Sequence, residues 1–509
     1  MRRVVPIVLA LAILPASAGA SPIRQSPPAG ETAAYYFLIA RHLESTGKTA
    51  EAIAALRRAI ALEPKSAELR AELAGVYARQ DRVVDALNAA DEALEVDAAN
   101  REANRILGSI YAALSEQKRP VRPGDDPAQY AARAIAALEK ARPESRSDLG
   151  LELTLGRLYL RGGQHEKAIG AFQHVFEQQP EYPDGGMLLA AAQEEAGRVD
   201  GAISTLESTI QHNPAFFRAY PRLIELYERQ RRWKDAAGAY ALAQAINPGV
   251  DLTGGRAAAL INSGQPAEAK AVLEEALTRK TAPDAALLYL LAEAQRQSKD
   301  LDAAVATTKR LRQAFPDDPR GLVIDAQLQL AQGRRDEALR TFGELVKRTP
   351  GEPSFVYQYA QLLEQSGRAP EAEKALRDLL ARDPMNADAL NALGYMFAER
   401  GERLPEAVEL LNRALKIEPG NPSFLDSLGW ALFQQGQLAR ADGPLAEAAA
   451  KSPDSSVIQE HLGDLRFRQQ RYAEAIVAFE RALAGDGESI DRPALEKKLR
   501  DARARAPKK

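Results

Sequence analysis

The sequence predicts an all-α fold, a superhelical α-solenoid of about thirteen helix-turn-helix repeats closed by a C-terminal capping helix. Three observations predict it. Proline recurs with a long period: Pro64, Pro180, Pro214, Pro248, Pro350, Pro384, Pro419 and Pro453 fall at or near multiples of about 34 residues. The segments that these prolines close share one pattern, as in "AIALEP" (Ala59–Pro64), "AQAINP" (Ala243–Pro248) and "ALKIEP" (Ala414–Pro419). Upstream stands an alanine, an apolar or aromatic residue four later and an alanine three later, as in Ala52-Leu56-Ala59, Ala236-Tyr240-Ala243 and Ala407-Leu411-Ala414. Finally, a chain of 509 residues means several domains or a repeat array, and no repeat-free stretch is long enough to fold alone.

The elements follow in chain order. Arg2 and Arg3 precede an apolar run, Val4–Leu14, and the small residues Ala18-Gly19-Ala20. That is the layout of a cleavable secretory signal over residues 1–20. The run is shorter than the roughly 20 residues that span a bilayer. The proline-rich Ser21–Gly30 predicts a flexible leader through residue 32. Cysteine is absent, which removes disulfides, thiolate chemistry and a lipid anchor. Later segments are broken by charges, so no transmembrane segment is expected after the signal. The mature protein is read as exported, soluble, and periplasmic or secreted.

The repeats occupy residues 33–489 and begin at Ala33, Ala67, Arg101, Leu149, Pro183, Phe217, Val250, Ala285, Pro319, Pro353, Ala387, Pro422 and Ser456. In each, two antiparallel helices carry apolar residues at helical spacing. Small residues let them approach, and the proline stops the second. One pair cannot bury its own apolar face, so stacking must build the core. The third repeat carries about fourteen extra residues around Lys118–Pro127. Pro120 and Pro123 forbid helix there, which predicts a projecting loop between Ile106–Gln117 and Ala128–Ala141, read as a tolerated insertion. The eleventh repeat has one extra residue in Gly401–Pro405. At residues 490–509, Pro493 suits a first helical turn, and Leu495, Leu499 and Ala502 form the stripe of a capping helix with a basic tail.

The function classes narrow by composition and motif. A formal net charge of −3 gives no field for nucleic acid. No phosphate-binding glycine loop, zinc-protease helix or nucleophile elbow is present. His42, His165, His174, His212 and His461 are scattered among repeats and read as surface residues without a metal-ligand partner. Ser115 and Lys118 match a Ser–Lys spacing but lack the rest of that chemistry. Glu194-Glu195 and Glu274-Glu275 read as solvated faces. The cluster Arg229–Lys234 reads as a solvated turn with Trp233 packing its rim. The expectation is a protein that is not an enzyme and needs no cofactor or metal.

The period, with small and tyrosine positions in the first half and Ala-x3-Phe/Leu-x2-Ala in the second, resembles the tetratricopeptide (TPR) repeat. The resemblance implies that positions 4, 7, 8 and 11 of each repeat face the second helix. In the twelfth repeat these are Leu425, Leu428, Gly429 and Leu432. At about 100° per residue, Trp430 lies far round the helix from that stripe. Positions 2, 5, 9 and 12 point with it, and the resemblance implies that they line a concave peptide-binding groove. Across repeats ten to thirteen they bring rings beside amides and carboxylates: Tyr357, Gln361, Asn391, Tyr395, Asp426, Trp430, Phe433, Asp464 and Phe467. These nine are the candidate partner-binding residues. Amides can bond an extended backbone and rings can cover its side chains.

Ala389–Gln437 is also similar to the C-terminal part of large Gram-negative envelope TPR proteins. Some of those are lipoprotein adaptors that deliver substrates to a carboxy-terminal processing protease. This chain lacks the lipid-bearing cysteine. The resemblance implies a non-catalytic scaffold or adaptor in the bacterial envelope, with protein or peptide partners and no nucleic acid. The alternative is a TPR component of an envelope export or assembly machine, for polysaccharide secretion or pilus assembly. A glycan- or small-molecule-binding solenoid is a third class.

Overall fold

The computed structural model describes residues 31–117, 119–143, 146–487 and 490–507. The expected signal and residues 21–30 of the leader lie outside the described residues. Two compact halves meet in the chain at Val250 and Asp251, and each is described by itself. Among the described residues every regular element is helical.

Among the described residues the N-terminal half holds twelve α-helices. They are α1 (Ala33–Ser45), α2 (Thr49–Leu62), α3 (Ala67–Arg79), α4 (Val83–Val96), α5 (Arg101–Gln117) and α6 (Tyr130–Ala141). Then come α7 (Leu149–Arg161), α8 (His165–Gln178), α9 (Pro183–Glu195), α10 (Val199–His212), α11 (Ala219–Arg229) and α12 (Trp233–Ile246). The C-terminal half begins with α13 (Thr253–Asn262), α14 (Pro266–Arg279), α15 (Ala285–Gln297), α16 (Leu301–Ala314), α17 (Pro319–Ala331) and α18 (Arg335–Arg348). It continues with α19 (Pro353–Gln365), α20 (Ala369–Arg382), α21 (Ala387–Arg400), α22 (Leu404–Ile417) and α23 (Pro422–Gln434). It ends with α24 (Leu438–Lys451), α25 (Ser456–Arg468), α26 (Tyr472–Ala484) and α27 (Arg492–Arg505).

Each odd-numbered helix up to α25 packs on the even-numbered helix after it, and within each half each pair packs on the next. The first helix of each repeat starts where the periodicity predicts, with two exceptions. In the sixth repeat the chain makes a turn, with Ala219 N–H donating to Phe216 C=O at 3.2 Å, and the helix opens at Ala219. In the seventh, Asp251 Oδ1 accepts from Thr253 N–H at 3.1 Å, and the helix opens at Thr253. Side-chain caps or a first-turn proline explain most of the clean starts elsewhere. Asn421 Oδ1 accepts from Ser423 N–H at 3.0 Å, and Pro422 occupies the first turn.

What sets the spacing within a pair is the eighth position. Gly108, Gly156, Gly394, Gly429 and Gly463 all stand there, and a Cβ on any of them would come within 2.4–2.7 Å of a facing side chain. Those side chains are Leu138, Phe172, Leu411, Leu445 and Phe479, one on the second helix of each pair. Most other repeats place a buried alanine there, including Ala74, Ala292 and Ala326. The second helix can close down only on hydrogen or methyl, and its large residue then fills the gap at core density.

The insertion in the third repeat is fastened down, where the sequence predicts a projecting loop. Arg122 reaches Asp91 of α4 at 2.6 Å and Tyr111 Oη of α5 at 2.7 Å. Tyr130 Oη donates to Asp125 at 3.1 Å and accepts from Val121 N–H at 3.2 Å. The Tyr111 and Tyr130 rings stack at 5.4 Å. Ala128 sits in a 3-10 turn, Pro127–Gln129, and α6 starts only at Tyr130. At the other end, Leu495, Leu499 and Ala502 of α27 are buried with Ala475, Phe479 and Ala482 of α26. Asp491 caps α27 by accepting from Ala494 N–H at 3.1 Å. The stripe read from the sequence therefore does cover the last pair.

Two glycines in one helix pair test the spacing argument. Gly429→Ala is expected to lower stability by about 1–3 kcal/mol, because its methyl group overlaps Leu445. Gly443→Ala, on the exposed side of α24 with nothing within 4 Å, is expected to raise it by up to about 1 kcal/mol through helix propensity. Thermal or urea denaturation of both variants measures the difference. Equal effects of the same sign would contradict the close-approach account.

Candidate functional site

On α23, residues from Phe424 through Gly429 are all buried. The leucines face the core, as the pattern requires. Asp426 is only 5% exposed, and a carboxylate that deep needs a partner. It finds one on α25: His461 Nδ1 donates to Asp426, 3.0 Å from both carboxylate oxygens. His461 is itself 8% exposed. The surface reading of this histidine is therefore corrected. His42 and His212 are exposed, while His165 and His174 are half-buried.

Trp430 is half-buried and stacks on His461, with centroids 4.1 Å apart and planes 14° apart. It also stacks on Phe433 at 4.9 Å and 14°. The ring on the ninth position is thus held between its own helix and the next repeat. Its Nε1 is buried without a partner among the described residues, and so is Asn391 Oδ1.

These groups border a cavity of about 510 Å³ on α21, α23, α25 and the chain leading into α27. Asn391, Tyr395 and Glu399 come from α21, and Ser423, Asp426, Ser427 and Trp430 from α23. Glu460, His461 and Asp464 come from α25, and Asp486, Asp491 and Lys498 complete the lining with three residues from the start of α25. Lys498 Nζ lies 2.6 Å from both Glu460 and Asp464.

The electrostatics follow from burial and pairing. Burial opposes the charged form of His461, but the adjoining Asp426, with Glu399 and Asp464 nearby, outweighs it and raises its pKa. Burial pushes the Asp464 carboxyl up, against the pull of Lys498. Burial opposes the Lys498 ammonium, yet Asp464 and Glu460 hold its pKa above the usual lysine value. The Tyr395 phenol is pushed up by burial and by Glu399, Asp426 and Glu460. The site is polar, closely coupled and rich in negative charge.

Of the nine candidate residues, the cavity gathers Asn391, Tyr395, Asp426, Trp430 and Asp464. Phe433 lies beyond the lining, stacked on Trp430. Phe467 meets Tyr472 edge-on at 5.5 Å and lies 5.0 Å from the Arg505 guanidinium. Tyr357 donates to Asn386 Oδ1, which also caps α21 through Ala389 N–H. Gln361 is exposed on α19, outside the cavity. Sequence reasoning missed His461, Glu399 and Lys498. Glu399 was reachable, one helical turn beyond Tyr395. His461 would have followed from asking what neutralises a buried Asp426. Lys498 lies outside the repeat period and leaves no periodic signal. Two of the four cations of the basic turn Arg229–Lys234 are paired with carboxylates: Arg229 with Glu194 at 2.7 Å and Arg232 with Asp235 at 2.7 Å.

A tetratricopeptide repeat model matches residues 153–211, 189–251, 326–377, 360–422 and 427–490. A second tetratricopeptide repeat model matches residues 43–110 and 260–322. Tetratricopeptide repeat protein 21B of Xenopus laevis is 26% identical over 258 residues, 49% of this chain and 20% of that protein. The chain therefore spans about a fifth of that relative's length. A tetratricopeptide repeat protein from Parabacteroides merdae is similar in structure at 18% identity and a TM-score of 0.40, over 49% of this chain and 97% of that one. Yeast Tom70 is similar at 14% identity and a TM-score of 0.40, over 93% of this chain and 95% of that one.

The pair between α23 and α25 has a pH signature. The His461 pKa is raised in the folded protein, so its stabilisation is complete below the unfolded value of about 6.5 and is lost as pH rises through the folded value. His461→Gln is expected to cost roughly 1.5–3 kcal/mol at mildly acid pH, the range for a hydrogen bond to a charged group. The gap from wild type should narrow as pH rises. Denaturation of both proteins across that range measures it, and a gap that stays constant or widens would contradict the charged pair.

Proposed function

The chain belongs to the tetratricopeptide repeat family, and on that premise we propose that it is a non-catalytic scaffold that holds an extended partner segment in the cavity on α21, α23 and α25. Repeats of this family serve as protein-interaction scaffolds. The observation that carries the proposal is the continuous ring stack of Phe433, Trp430 and His461 beside a cavity lined by Asn391, Tyr395 and Ser423. Rings give an extended peptide apolar surface, and hydroxyl and amide groups match its backbone. Among the described residues no group of three His, Asp or Glu side chains is placed to hold a metal ion, and no helix is long and apolar enough to cross a membrane.

The setting of this scaffold is inferred from its N-terminal residues and its C-terminal repeats. Arg2, Arg3 and the Val4–Leu14 run support export to the bacterial envelope. The similarity of Ala389–Gln437 to envelope adaptors supports a role in presenting substrates to an envelope protease.

Site-specific photocrosslinking tests the groove. A benzophenone amino acid at Ser423, exposed at the cavity mouth, is expected to trap partner peptides when the chain is expressed in its own cell envelope. The same probe at Lys374, on α20 outside the cavity, is expected to trap little. Adding Trp430→Ala should reduce the Ser423 adduct by about tenfold or more, the loss expected of an aromatic anchor. Equal trapping at both positions, or an adduct indifferent to Trp430→Ala, would reject the groove as the partner site.

A further inference from the structure

We propose that the cavity on α21, α23 and α25 receives a lysine or arginine side chain of the partner segment. This names the partner's chemistry and rests on the groove reading above. The lining carries six carboxylates against one lysine and one histidine. The whole chain has a formal net charge of only −3, so this excess is a property of the site. The groups are too dispersed to converge on a metal ion. They suit a cation on a long stem, which can thread past Tyr395 and Trp430 and leave its charge among the acids.

Two further observations point the same way. The first is Lys498. It comes from outside the repeats, on α27, and places its ammonium 2.6 Å from Glu460 and 2.6 Å from Asp464. The site therefore already accepts one alkylammonium from its own chain, in hydrogen-bonding geometry. Lys498 neutralises part of the acidic lining, so an incoming cation must share those carboxylates or displace it. The second is the unpartnered pair, a donor at Trp430 Nε1 and an acceptor at Asn391 Oδ1. Buried groups of this kind cost stability until they are matched. A peptide backbone supplies one carbonyl and one amide, which a free metal or an inorganic ion does not.

Fluorescence anisotropy with three labelled peptides of equal length tests this, each Gly-Ser spaced and bearing lysine, glutamate or no charge. At low salt the lysine peptide is expected to bind the full chain about tenfold more tightly than the uncharged one, and the preference should shrink as salt rises. Asp464→Asn combined with Glu460→Gln should abolish the preference, so that in this variant the lysine peptide binds no more tightly than the uncharged one. Lys498→Ala should strengthen lysine-peptide binding, and Lys498→Gln, which keeps a hydrogen-bonding stem on α27, should do the same if folding of the alanine variant is impaired. A lysine preference that survives the double amide variant would place the attraction elsewhere and overturn the proposal. Uncharged and lysine peptides bound alike, and both lost with Trp430→Ala, would overturn the cation and leave the groove reading standing. No binding of any peptide, beside an intact Ser423 adduct, would do the same; no binding and no adduct would remove both.

Discussion

The structure depends on how closely two helices of a repeat can approach. At Gly429 the neighbouring Leu445 leaves no room for even a methyl group, and the same holds at four corresponding glycines. That contact fixes which face of the first helix is core. Once Leu425, Leu428 and Leu432 are committed to it, the ninth position must leave the pair. Trp430 follows Gly429 for this reason. The small residue closes the pair, and the large one is turned toward the next repeat and the cavity.

The face turned away from the second helix is not simply solvated. Neighbouring first helices pack on each other there, and Asp426 is buried as deeply as several core leucines. Burying a carboxylate without a partner is costly, and pairing it with His461 across the repeat boundary turns that cost into register. Trp430 lies over the same imidazole. One histidine thus links the stacking of repeats to the ring that borders the cavity. Lys498 plays a similar part at the end of the chain, where α27 both covers the last apolar face and lends its charge to Glu460 and Asp464. Fold and candidate site share their residues.

The repeat frame was legible because it is written in local chemistry. Pro422 and Asn421 start α23, and an eighth-position glycine or alanine marks every pair but the sixth, which has Ile224. The two late starts, at Ala219 and Thr253, arose where capping turns near Phe216 and Asp251 overrode the period. Helical geometry was enough to point Trp430 away from the core. It was not enough to say what Trp430 meets, because His461 lies one position beyond the repeat spacing from Asp426 and its role is a pairwise contact. Tyr357 and Phe467 share the groove phase but are spent on Asn386 and on the contact with Tyr472. Arg122 shows the same limit, since nothing local to "KRPVRPGDDP" reveals that it reaches back to Asp91.

The central claim is that two positions on either side of Gly429 on α23 divide the labour, with Leu428 holding the fold and Trp430 meeting the partner. Denaturation and Ser423 crosslinking, run side by side on Leu428→Ala and Trp430→Ala, test it most directly. The account predicts that Leu428→Ala loses about 2–5 kcal/mol of stability while its folded fraction still forms the adduct. It predicts that Trp430→Ala loses less, about 1–3 kcal/mol for its two stacked contacts, and forms little adduct. If Trp430→Ala unfolds as readily as Leu428→Ala and its folded fraction crosslinks normally, Trp430 is a packing residue and the account is wrong.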